Sequence, residues 1–84
     1  MNKWLEKGKR FIHMDSQIQI TGSSSVMVDG CKKILEYNDI LVKVKTWDLI
    51  VQVWGSGLTV SGFSSDIICI YGDIRSVELE RVSA

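Results

Sequence analysis

Proline is absent from the 84 residues of this chain, histidine occurs once, and cysteine occurs twice. Enzymes and metal sites draw mainly on histidine, cysteine and clustered carboxylates. The single histidine, His13, has no marked nucleophile beside it, and the acidic residues fall mostly at turns or on the polar positions of strands. The sequence therefore predicts no enzyme, no catalytic residues, and no bound metal or cofactor.

Long hydrophobic runs are also missing. No apolar run approaches the roughly 18 residues of a membrane-spanning helix. Charged residues interrupt the N-terminal region, where a secretory signal would carry its apolar core. We therefore expect a cytoplasmic protein, in which Cys31 and Cys69 are partly buried apolar residues and do not form a disulfide.

Charge is balanced over the whole chain but not along it. Ten basic and ten acidic residues give a net charge of zero, so no overall field attracts nucleic acid or anionic lipid. Residues 1–10 carry four basic residues against Glu6, a local charge of +3 that leaves −3 on the remainder. We interpret residues 1–16 as a basic amphipathic leader and residues 17–81 as a single β domain.

On a helical wheel, the apolar residues of the leader group on one side and its charged residues on the other. This pattern predicts a short N-terminal helix, either packed on the domain or frayed, or docked on a membrane or a partner. The residues predicted to make a membrane or partner contact are Trp4, Leu5, Lys7, Lys9, Arg10 and Phe11, together with Trp54.

The rest of the chain alternates apolar and polar residues. Residues 18–22, 51–55, 58–62 and 68–72 all read apolar-x-apolar-x-Gly. Such alternation, rich in β-branched residues, is typical of half-buried strands. A glycine supplies the positive φ or the bulge that turns or bends a strand. The predicted structural turn glycines are Gly22, Gly55, Gly57, Gly62 and Gly72.

Further strands are predicted over 25–29, 33–37, 40–46 and 49–54, and residues 67–80 are predicted as one strand that bends at Gly72-Asp73. All connections are short. Short connections favour antiparallel neighbours, so we predict an all-β domain of seven or eight short strands, in a meander or roll. The alternative, a β-solenoid-like stack, requires a regular period that the glycines do not keep. The predicted core is Ile18, Ile20, Val42, Val44, Val51, Val53, Leu58, Val60, Ile68, Ile70, Val77 and Leu79.

Aromatic residues raise the question of nucleic-acid binding. Trp47, Trp54 and Tyr71 can stack on the bases of a single strand, but binders of that class also need a basic groove. The chain outside the basic segment is net negative, so nucleic acid is not the expected partner. Exposed aromatic residues without basic neighbours favour a protein contact.

Several segments, in order, resemble the YabP/YqfC family of small sporulation proteins from endospore-forming Firmicutes, with the YqfC branch closer. The segments are "QITG" (19–22), "KILEY" (33–37), "ILVKVKT" (40–46), "VWGSGLTV" (53–60) and "DIICIYGDIRSVEL" (66–79). Each is a generic strand pattern, whereas their order and spacing are specific. The turns "DGCKK" (29–33) and Trp47-Asp48 depart from the family pattern, which indicates a divergent member or paralogue.

This resemblance implies a non-catalytic structural or assembly protein, made in the mother cell and acting in spore morphogenesis through protein–protein contacts. It also implies a YqfD-type sporulation membrane protein as partner, with the chain peripheral at the membrane around the forespore. Self-association stays open. The alternative function is a small β-barrel-like binding module for single-stranded nucleic acid or another ligand.

Overall fold

The computed structural model describes residues 16–64 and 66–82, and these form one antiparallel β-sheet. Its strands are β1 (Gln17–Thr21), β2 (Ser25–Asp29), β3 (Cys31–Tyr37), β4 (Leu41–Thr46), β5 (Leu49–Ser64) and β6 (Ile67–Arg81). The spatial order is β1-β2-β6-β5-β4-β3. The all-β antiparallel prediction is confirmed. The predicted N-terminal helix lies outside the described residues.

The described sheet has six strands, fewer than the seven or eight expected. Segments 49–54 and 58–62 were predicted as separate strands, but both belong to β5, which continues through bulges opposite β6. Every strand pair is antiparallel, so the solenoid-like alternative is wrong. The sheet is not closed either, because β1 and β3 remain at its ends. The barrel-like architecture of the alternative function is therefore also wrong.

The two long strands divide the sheet into two halves. Residues 59–64 of β5 pair with residues 67–71 of β6, and β2 and β1 extend this first half-sheet. Residues 49–56 of β5 pair with residues 73–81 of β6, and β4 and β3 extend the second half-sheet. Buried side chains from both halves form one hydrophobic cluster. The sheet is thus bent on itself, with the core between its inner faces.

Glycine makes this bend sterically accessible. A Cβ at Gly55 would collide with the carbonyl oxygen of Asp73, and one at Gly72 would lie 2.8 Å from the carbonyl oxygen of Gly57. Gly72 also has a φ of +145°, a conformation that residues with a side chain rarely adopt. The two strands can therefore approach closely where both bend.

Two neighbouring turns satisfy the backbone amides at the bend. The amides of Gly55 and Leu58 donate to carbonyl oxygens in the β3–β4 turn, and those of Gly72 and Ile74 donate to carbonyl oxygens in the β1–β2 turn. Unpaired backbone groups away from water are costly, so these four hydrogen bonds stabilise the bend. The two turns and the bend therefore stabilise each other.

The core lies between the half-sheets and contains most of the residues predicted for it. Val42, Val44, Val51, Val53, Leu58, Ile68 and Ile70 are buried, and Ile18, Val60 and Val77 pack partly buried against them. The prediction was wrong for Ile20 and Leu79, which are 52% and 56% exposed. Within the described sheet, both lie on strand segments that pair on one side only, so their inner-facing side chains are incompletely covered.

Buried residues that the prediction omitted come mainly from β2 and from strand ends. They are Val26, Val28, Cys31, Leu41, Thr46 and Ile74. β2 is central in its half-sheet, because it pairs with both β1 and β6. Its valines therefore supply inner-facing contacts that the exposed Ile20 of β1 does not.

Side-chain hydrogen bonds fix the two turns that flank β4. Asn38 Oδ1 accepts from the amides of Ile40 and Leu41, both at 3.0 Å, which is an Asx turn. Neither Asn38 nor Asp39 has a positive φ. At the other end, the hydroxyl of Thr46 accepts from the amide of Leu49 at 3.0 Å. Both turns are therefore specified by side-chain oxygens.

Candidate interaction surfaces

The described residues do not bring reactive side chains together. Within residues 16–64 and 66–82, no three His, Cys, Asp or Glu side chains form a potential metal site. Cys31 and Cys69 are both free thiols. Burial raises the pKa of the Cys31 thiol, which disfavours the nucleophilic thiolate. Cys31 is therefore suited to packing and not to chemistry.

The predicted turn glycines occupy three kinds of position. Gly22 lies in the β1–β2 turn, while Gly55, Gly57 and Gly72 lie at the bend. Gly62 has a φ of +69° beside a register shift in β5. All five glycines therefore lie where the backbone turns, bends or shifts register.

Only one of the predicted contact residues lies in the described part of the chain. Trp54 is half-buried on β5, between Leu41 of β4 and Ser76 of β6. The other predicted contacts, Trp4, Leu5, Lys7, Lys9, Arg10 and Phe11, lie outside the described residues. The predicted contact through these six residues therefore stays a prediction.

The free side of residues 59–64 forms a strand edge, here called the β5 edge. Among the described residues, they pair with β6 on one side only. On the other side, the amide of Val60 donates to the hydroxyl of Tyr37 at 3.1 Å. One group of the edge is thus capped by a side chain of β3. A partner strand added here would need to displace that hydroxyl.

Exposed apolar side chains lie along β3 and in the turn after it. They are Ile34, Leu35, Tyr37 and Ile40, which we call the β3 rim. In the described sheet, β3 pairs only with β4. Its register shifts between Ile34 and Glu36, which leaves Leu35 unpaired in a bulge. Sequence reasoning missed this rim. The adjacent apolar pair Ile34-Leu35, which breaks the alternation, was the available signal.

The outer face of the first half-sheet is almost uncharged. Strand register places on it Gln17, Gln19, Thr21, Ser25, Met27, Asp29, Thr59, Ser61, Ile67, Cys69 and Tyr71. Asp29 is the only charged residue in this set. Cys69 and Tyr71 interact on this face, and hydrogen bonding with Cys69 raises the pKa of Tyr71.

The outer face of the second half-sheet is strongly charged and divided by sign. Alternation with the buried valines of β4 and β5 places on it Lys33, Glu36, Lys43, Lys45, Ile50, Gln52, Trp54, Ser76, Glu78 and Glu80. Three lysines and one glutamate give β3 and β4 a net charge of +2, and two glutamates give β6 −2. The apolar centre of the face is on β5.

A family model described as the YabP family matches residues 13–84. The match covers most of the chain, so the protein belongs to the YabP family. No curated protein and no solved structure matches the chain. Among the described residues, no helix is long and apolar enough to cross a bilayer.

Proposed function

We propose that this protein is a non-catalytic structural or assembly protein of endospore formation that acts in the mother cell through contacts with other proteins. The observation that carries the proposal is the YabP family match over residues 13–84. Family membership is consistent with a sporulation-associated role. The order and spacing of the resembling segments further support the YqfC branch.

A YqfD-type sporulation membrane protein is the proposed partner, and the β3 rim with the β5 edge is the proposed contact. Exposed apolar and aromatic side chains favour protein interfaces. An extended segment of the partner can also add to a free strand edge through backbone hydrogen bonds. The hydrogen bond from Val60 to Tyr37 joins the edge to the rim, so one partner can contact both.

The leader supplies a second proposed contact, with anionic lipid around the forespore. Four basic residues within residues 1–10 favour an anionic surface by about 1 kcal/mol each, and the apolar side chains Trp4, Leu5 and Phe11 add burial. Peripheral attachment to that membrane, on its mother-cell side, is the proposed location.

Deleting the gene in its endospore-forming host tests the proposed function. We expect the yield of heat-resistant spores to fall and to be restored by the wild-type gene. Complementation with Leu35→Ser should restore less than Lys33→Ser, a matched change on the same strand that spares the β3 rim. Undiminished heat resistance after deletion would overturn the proposed function. Equal complementation by the two variants would overturn the proposed contact only.

A further inference from the structure

Charges on the outer face of the second half-sheet lie in rows across three strands. In one row, Lys45 of β4 pairs in register with Ile50, and Ile50 with Glu80 of β6. In the next row, Lys43 pairs with Gln52, and Gln52 with Glu78. Lysine and glutamate in each row are thus two strand spacings apart, roughly 10 Å.

These lysines and glutamates do not neutralise each other within the chain. The only ion pair among residues 16–64 and 66–82 joins Lys32 to Asp66 at 3.7 Å. The face therefore presents a cationic strip on β4 and an acidic strip on β6, with Ile50, Gln52 and Trp54 between them. The three central side chains are all half-buried.

This arrangement is complementary to itself under a two-fold rotation. A two-fold axis that runs along β5, just above the face, carries β4 of one copy over β6 of the other and keeps each row at its own level. Lys45 then opposes Glu80 of the second copy, and Lys43 opposes Glu78. The side chains of β5 oppose their own equivalents, as isologous interfaces require.

We propose that two copies of this chain associate face to face through the second half-sheet. The opposed charges set the register of the two copies, and Ile50 and Trp54 make the apolar contact. The nearly uncharged face of the first half-sheet offers no such self-complementarity. Three strands of about six residues make a patch of roughly 300 Å² per copy, below the ~800 Å² per partner of a standard stable interface. The dimer is therefore weak and weakened further by salt. It does not depend on the proposed sporulation function.

A charge exchange between two variants tests the dimer with the full chain. One variant carries Lys43→Glu and Lys45→Glu, and the other carries Glu78→Lys and Glu80→Lys. Each variant alone opposes like charges, so its dimer should weaken by about tenfold or more in sedimentation equilibrium at low salt. An equimolar mixture opposes unlike charges at every position. We expect it to form a heterodimer at least as well as the wild type dimerises, identified by its mass in native mass spectrometry.

A matched control distinguishes an effect of charges on this face from an effect of the net charge of the chain. The double variant Asp29→Lys, Asp39→Lys changes the net charge as much as Glu78→Lys, Glu80→Lys but lies away from the face, and its dimerisation should equal that of the wild type. A wild-type chain that stays monomeric at millimolar concentration in low salt would overturn the proposal. So would a mixture as monomeric as its separate components, or a control variant weakened as much as the others.

Cross-linking provides a second measurement that changes no charge. In a Cys69→Ser background, Gln52→Cys places a thiol beside the two-fold axis, whereas Thr59→Cys places one on the outer face of the first half-sheet. A short bismaleimide should link Gln52→Cys into dimers and leave Thr59→Cys monomeric. Equal cross-linking at both positions, or none at Gln52→Cys, contradicts the proposed face.

Discussion

The two half-sheets have similar inner faces and very different outer faces. Both inner faces are built from β-branched residues, such as Val26 and Val28 in the first half and Val42 and Val44 in the second, and these meet in one core. The outer face of the first half carries one charged residue, and that of the second carries six. The comparison separates two tasks, because inner faces hold the fold together and outer faces determine what the molecule contacts.

The largest expected effect comes from the bend that joins the half-sheets. Gly55→Ala places a Cβ against the carbonyl oxygen of Asp73, a backbone atom that moves only if the paired strands separate. We expect a loss of unfolding free energy of roughly 3–5 kcal/mol, enough to leave much of so small a domain unfolded. Urea denaturation followed by circular dichroism measures this loss.

Gly22→Ala is the control for that bend variant. Gly22 has a φ of +55°, but an added Cβ would meet nothing within 4 Å. Only the left-handed backbone penalty applies, which is about 1–2 kcal/mol. Equal losses of unfolding free energy for the two glycine variants would show that the bend does not require the close approach of the strands at Gly55.

The next largest effect compares the two faces of the first half-sheet. Ile70 is fully buried, so Ile70→Ala should reduce the free energy of unfolding by about 2–5 kcal/mol. Thr59 is exposed on the outer face, and Thr59→Ala should cost at most about 0.5 kcal/mol. Chemical denaturation of both variants provides the comparison. Similar costs would mean that the inner and outer faces have been exchanged.

Alternation along the chain was enough to predict which face of most strands is buried. The core positions Val42, Val44, Val51 and Val53 follow from period two alone. The bend of β6 at Gly72-Asp73 was predicted from the sequence, but the bend of β5 was not, because the same apolar-x-apolar-x-Gly pattern accompanies a turn at Gly22 and a bulge at Gly55. At Gly55, local sequence did not distinguish a chain reversal from a strand that bends and continues.

Which strands lie at an edge could not be predicted from local pattern. Ile20 and Val28 have the same alternation, yet Val28 is buried and Ile20 is half-exposed, because β2 has a strand on both sides and β1 on one. The proposed contact surfaces depend on the same information. Lys43, Lys45, Glu78 and Glu80 fall on the polar positions of the alternating pattern, but only strand order aligns them in rows.

A smaller effect is expected at the turn between β4 and β5. The Thr46 hydroxyl is buried and accepts from the amide of Leu49. Thr46→Val keeps the shape but leaves that amide unpaired, so we expect a cost of about 1–2 kcal/mol. Thr46→Ser keeps the hydroxyl and should retain most of the stability. Thermal unfolding distinguishes them, and a Ser variant as unstable as the Val variant would argue against the hydrogen bond.

The reactivities of the two cysteines compare an inner position with an outer one. Cys31 is buried in the core, whereas Cys69 is half-buried on the outer face of the first half-sheet. At pH 8, a thiol reagent such as DTNB should modify Cys69 readily, and Cys31 only after unfolding. Cys69→Ser should therefore abolish the fast reaction, and Cys31→Ala should leave it unchanged. Fast modification of Cys31 in the folded chain would contradict its place in the core.

The smallest effect is a dependence of stability on alkaline pH that comes from Cys31. Because burial raises its pKa in the folded state, the unfolded chain loses this proton first, near the ordinary thiol pKa of about 8.5. The contribution of Cys31 is therefore constant below that pH and declines as pH rises from there through the higher pKa of the folded state. Melting temperatures measured from pH 7 to pH 10 should fall more steeply for the wild type than for Cys31→Ala, whatever stability the alanine costs at neutral pH. Cys69→Ser should keep the steep wild-type decline, and parallel curves for wild type and Cys31→Ala would contradict the burial of this thiol.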